Sequence, residues 1–201
     1  MFKILNQHKD KIQMLAMAVA LYGLWHFGYE QYLALDKGET GLDWKINRVL
    51  GHETALWFSL FGYKAEVMAY QIYPHLVFLD KLPIISIDTP CNALPMMYLF
   101  GSFILVYPGD WKRKAVFLVF GVLFIHILNM IRIIILSYIS IYSPDYFHFN
   151  HKYLFQIIVY GVTVTLWFYW VLYGYDPKTS WIQGIREFVS FRFVKKLNQL
   201  I

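Results

Sequence analysis

Three residue types set the chemistry this chain can do: a single thiol, a few histidines, and an arginine inside a hydrophobic run. Cys91 is the sole cysteine. It follows Thr89 and Pro90, where mixed sequence gives way to an apolar stretch. Threonine caps helix N-termini, and proline suits the first helical position, where no N–H is needed. The pattern predicts Cys91 in the first turn of a helix, where free backbone N–H groups and the helix dipole favour a thiolate. Arg132 follows His126 and Asn129 at three-residue intervals, which puts all three close to one helix face. A charge inside an apolar span is expensive and is functional by default. His148 and His151 lie in a loop without lysine or arginine, just ahead of another apolar run.

Composition says what kind of element positions these groups. The 201 residues are 58% hydrophobic, 20% aromatic and only 15% charged, against about 25% charged in soluble domains. The chain reads as a single membrane domain over residues 1–201. Its net charge of +5 comes from basic residues that flank hydrophobic runs without forming a basic–aromatic patch. They therefore serve as topology signals and give no reason to expect nucleic acid. One cysteine permits no internal disulfide.

The fold class expected is an all-α polytopic membrane protein with about four transmembrane helices, at 12–29, 91–107, 115–140 and 153–174. Lys3, Lys9 and Lys11 ahead of the first span, and the tight basic loop Trp111-Lys112-Arg113-Lys114, mark the cytoplasmic side. Residues 30–90 then fall outside the cytoplasm and 176–201 form a cytoplasmic basic amphipathic tail against anionic lipid. Within 30–90, Val49, Leu50, Leu56, Trp57, Leu60 and Phe61 recur at helical spacing around Asn47–Gly62. They predict an amphipathic helix on the bilayer surface. Alternation at Val67, Ala69, Gln71 and Tyr73, followed by the β-branched run in Leu82–Asp88, predicts a small β-hairpin around Pro74 and Asp80-Lys81.

This topology uses neither Cys91 nor the histidines, yet it brings Cys91, Arg132 and His151 to one side of the membrane at similar depth. A thiol, an imidazole and a fixed cation are what acyl transfer requires. The imidazole takes the thiol proton and later protonates the amine leaving group. Arg132, with backbone N–H groups at the Cys91 helix start, stabilises the oxyanion. Asn129 orients His151 or the scissile carbonyl; Asn92 and His148 are supporting candidates. A metal site at His148, His151 and Asp145 has weak spacing, without a glutamate between the histidines. No phosphate-cradling glycine loop is present, and neither cofactor nor metal is expected.

Cys91-Asn92-Ala93-Leu94, then Asn129-Met130-Ile131-Arg132-Ile133, then a histidine ahead of a final apolar run, resemble the exosortase/archaeosortase family. The similarity extends back through Thr54-Ala55-Leu56 and Leu60-Phe61-Gly62, covering about residues 47–174. It looks closest to the short members of Bacteroidota-type bacteria. The family's Cys, Arg and His carry over to Cys91, Arg132 and His151, with His151 preferred to His148 because it adjoins the span. The resemblance implies a membrane cysteine transpeptidase that acts at the outer face of the bacterial cytoplasmic membrane. Its partners would be exported proteins with a C-terminal sorting signal, made of a short motif, a hydrophobic helix and a basic cluster. The new C-terminus would pass to an acceptor, an exopolysaccharide or lipid component among the candidates. The chain departs from the family at Ala93, where glycine is common. The alternative is a catalytically inactive assembly factor for exopolysaccharide or protein export.

Overall fold

The computed structural model describes Ala16 and residues 19–23, 25–29, 31–32, 41–68, 75–88 and 91–174. Thr89 and Pro90, the first lysines, Ala69 to Pro74 and the tail 176–201 lie outside the described residues, and so do the expectations that rest on them. The chain divides into two compact units. One holds Tyr32–Pro95 and Phe124–Gly161; the other holds Met96–Leu123 with the described residues before Tyr32 and after Gly161.

The first unit is built on a helix and a small sheet. Helix α1, Leu42–Leu60, buries Asp43, Asn47, Leu50, Gly51, Thr54, Ala55 and Phe58, a stripe at three- and four-residue intervals. It starts five residues earlier than the apolar periodicity suggested, because Asp43 and Asn47 extend the buried face with polar side chains. Its outward face keeps Val49, Leu56, Leu60 and Phe61 exposed. The sheet has three antiparallel strands in the order β1 (Ala65–Met68), β2 (Leu76–Leu79) and β3 (Leu82–Ser86). The expected hairpin is therefore one strand larger, and the fold is not purely helical. Asp80 and Lys81 both take positive φ, 49° and 72°, as a two-residue hairpin turn of the I′ kind requires. Leu50 and Ala55 of α1, Val77 and Ile85 of the sheet, and Ile87 meet Ile133, Leu136 and Phe155 in one core.

Helix α2 spans Leu94–Val106 and α3 spans Trp111–Tyr142. Asp110 starts α3 by accepting the Lys112 and Arg113 amides at its Oδ2, an N-cap. The Lys114 ammonium donates to the Leu105 carbonyl at 2.9 Å, where the carbonyl end of α2 favours a cation. One charge of the basic loop is thus spent on a helix end. A last helical run, α4, covers Pro144–Gly174, with wider π-type turns at Asn150–Leu154 and Trp170–Gly174.

Among the described residues, α3 and α4 are long and apolar enough to cross a membrane. The exposed stripe of α3 is Val116, Val119, Phe120, Leu123, Phe124, Ile127, Ile131 and Ile135, a surface suited to lipid and not to water. Helix α2 has 13 residues, about 20 Å at 1.5 Å per residue, short of a core ~30 Å thick. The expected second span is therefore reduced to a shorter apolar helix. The expected third and fourth lie within longer ones.

Candidate active site

Cys91, Asn92, Asn129, Arg132 and His151 come together inside the first unit, whereas His126, Asp145 and His148 do not join them. Cys91 sits in a tight turn, not in the first turn of α2 as expected. Ala93 has φ = 55°, a left-handed conformation that breaks helical continuity, so α2 begins at Leu94. The Cys91 amide donates to the Asp88 carbonyl at 2.7 Å. The Leu94 amide donates to Asn92 Oδ1 at 3.0 Å. Those two N–H groups are thus already engaged.

Two further bonds clamp this turn. Asn92, fully buried, donates from Nδ2 to the buried Asp43 carboxylate of α1. Asn129 of α3 donates from Nδ2 to the Cys91 carbonyl at 2.7 Å. Asn129 was expected to orient His151 or the scissile carbonyl; it holds the cysteine's own backbone instead. Asp43 was missed by sequence reading because it precedes the clear apolar periodicity of α1. A buried acid at a helix start, where it also suits the dipole, was the signal available.

Facing the thiol, His151 places Nε2 at 3.7 Å from Cys91 Sγ, within range of an S–H donating to nitrogen or an imidazolium N–H donating to sulfur. The ring stacks on Phe147, centroids 5.7 Å apart and planes 6° from parallel. His151 stands in the first π-type turn of α4, a local widening that recurs at functional sites. His148 is exposed and lines no part of the cavity described next. The Asp145 side of the loop is exposed too, so the metal reading finds no convergence. Among the described residues no three potential ligands gather.

Arg132 is 8% exposed, and its Nε is buried without a hydrogen-bond partner among the described residues. It shares with Cys91 and His151 a cavity of about 490 Å³ whose other walls include Ile84 to Asp88 and Phe147. A buried guanidinium nitrogen left without a partner is costly, and the group is suited to meeting an anionic oxygen. His126, third on the same helix face, is used otherwise: its Nε2 lies 3.0 Å from the Glu53 carboxylate of α1, tying α1 to α3.

A family model described as transmembrane exosortase (Exosortase_EpsH) matches residues 2–174. The chain belongs to that family. No curated protein and no solved structure matches it. Membership in this exosortase family and the apolar faces of α3 and α4 together make it a membrane protein.

Proposed function

We propose that this exosortase-family protein is a membrane cysteine transpeptidase with Cys91 as nucleophile, His151 as acid–base and Arg132 as oxyanion stabiliser. The observation that carries the reading is the 3.7 Å approach of His151 Nε2 to Cys91 Sγ beside a buried guanidinium whose Nε has no partner among the described residues. His151 removes the thiol proton, and the sulfur attacks the peptide carbonyl of a sorting signal. The C–N bond then breaks as the imidazolium returns its proton to the leaving amine, which leaves a thioester. An acceptor nucleophile attacks that thioester, gives its proton to His151 and frees the thiol. Arg132 supplies N–H donors to the oxyanion in both halves. Asp43, Asn92 and Asn129 fix the cysteine backbone so that the thiol does not have to be positioned at the moment of reaction. The basic loop before α3 supports an outward-facing site in a cytoplasmic membrane.

The test needs no engineering of cysteines. Alkylation of Cys91 by a membrane-impermeant reagent is followed in spheroplasts across pH, for wild type and His151→Ala. Outside labelling that is fast at neutral pH, and slowed by the substitution, is the expected result. Absence of outside labelling, or a pH profile indifferent to His151, would sink the proposal.

A further inference from the structure

The sheet ends at β3, and the free edge of β3 borders the cavity that holds Cys91. Among the described residues, the strand order β1-β2-β3 leaves β3 paired on one side only, and Pro83 within it is the kind of residue an edge strand tolerates. Ile87 donates its N–H to the His75 carbonyl at 2.9 Å, and Ile85 lies opposite Val77. Backbone groups of an antiparallel strand point to alternate sides. Ile85 and Ile87 therefore face β2, while Ile84, Ser86 and Asp88 face the open side. There the Ile84 carbonyl accepts the Ser140 hydroxyl of α3 at 2.8 Å, and the Asp88 carbonyl accepts the Cys91 amide. Between them, the N–H and C=O of Ser86 have no partner among the described residues. Ser86, Ser140 and Cys91 line the same cavity.

We propose that the edge at Ser86 is the substrate-backbone subsite. An extended peptide segment adds there as a short antiparallel strand, exchanging two hydrogen bonds with Ser86 and so laying its carbonyl beside Cys91. This rests on the cysteine-nucleophile reading above. The occupant must be extended: a strand brings unpaired N–H and C=O groups that need partners away from water, whereas a helix satisfies its own. Ile84, Ile87, Leu136 and Phe147 in the lining offer apolar contacts for alternate side chains, the usual division of labour in strand addition. Specificity is then shared: side chains choose the motif, and Ser86 sets its register.

The probe is an acetylated tri-alanyl chloromethyl ketone, reacted with the full chain in detergent. The Cys91 sulfur bonds to the methylene carbon and chloride leaves. Versions N-methylated at each amide in turn, and iodoacetamide as a reagent with no peptide backbone to pair, complete the set; mass spectrometry reads the rates. N-methylation at one amide slows alkylation roughly five- to tenfold, the worth of one lost hydrogen bond. The other positions change little. Ser86→Pro, which removes the N–H, lowers the ratio of the peptide-probe rate to the iodoacetamide rate to the same degree. Equal rates for all N-methyl versions, with an activated thiol toward iodoacetamide, would overturn strand addition while sparing the nucleophile. A thiol of ordinary, His151-independent reactivity overturns both. Should the edge pair a second copy, Ser86→Pro would convert dimers to monomers in light scattering without altering probe ratios, which also rejects the proposal.

Discussion

The two units solve the packing problem in opposite ways. The unit containing α2 is held by rings. Trp25 stacks on Tyr98 with centroids 4.1 Å apart, Phe103 on Trp167 at 4.7 Å, and Phe117 lies 5.0 Å from Trp170. Glycine supplies close approach: a Cβ at Gly121 would stand 2.2 Å from the buried Phe100 ring. The unit containing Cys91 instead buries Asp43, Asn47, Thr54, His75, Asn92, Asn129 and Arg132. Ring packing is tolerant in kind and strict in volume; buried polar groups are strict in partner. The ring-packed unit, which also buries Ser102, Lys114 and Thr163, thus fails mainly by sterics, and the other mainly by electrostatics.

That contrast is open to direct attack. The largest effect is expected from Asp43→Ala, which strands Asn92 Nδ2 and loosens the cysteine turn. It should cost about 1–3 kcal/mol of stability and also slow Cys91 alkylation by iodoacetamide; Asp43→Asn, which keeps an acceptor, should restore much of both. Gly121→Leu should cost a similar 1–3 kcal/mol by overpacking, read as thermal denaturation in detergent, yet leave thiol reactivity unchanged in the molecules that remain folded. If Gly121→Leu altered the thiol as strongly as Asp43→Ala, the division of labour between the units would fall. A smaller effect, of opposite sign, is expected at Ala93. Its left-handed φ penalises any side chain, so Ala93→Gly should raise stability by about 1 kcal/mol.

The smallest effect is a pH dependence. His75 is buried and donates from Nε2 to the Trp44 carbonyl at 3.0 Å. Burial, followed by the nearby Arg48 charge, holds its pKa below the usual 6.5 against the opposing pull of that carbonyl. The unfolded chain then binds the proton first as pH drops. Stability from this group is complete above about pH 6.5 and is lost as pH falls from there through the lower folded-state value. A shallower acid limb for His75→Gln in melting curves is the expected signature.

Much of the site was legible because lipid makes polar residues conspicuous. Asn129 and Arg132 stand out in α3 because every neighbour on the outer stripe is apolar, and charge placement alone put Cys91 and His151 near them. The turn at Asp80-Lys81 was legible from residue type. What escaped depends on tertiary context. Leu76–Leu79 is a short apolar run that periodicity does not assign, and it becomes β2 only by pairing on both sides. Nothing in residue type or spacing marks Asp43 or Glu53 as paired; only the fold brings Asn92 and His126 to meet them. Ala93 was noticed as a departure from a family pattern, but only its φ shows what glycine would provide there and why the helix starts late.

The widened turn at Asn150–Leu154 also has a consequence for how such a protein can vary. A π-type turn holds one more residue than an α turn, so it shifts the angular phase of everything beyond it. Within that widened turn, His151 answers to the thiol; beyond it, Ile157, Tyr160, Val164 and Phe168 are exposed along α4. The two demands are thereby uncoupled, much as a gear with one extra tooth lets two shafts keep different timing. Bilayers of different composition can reshape the lipid-facing stripe residue by residue without turning the imidazole away from the sulfur.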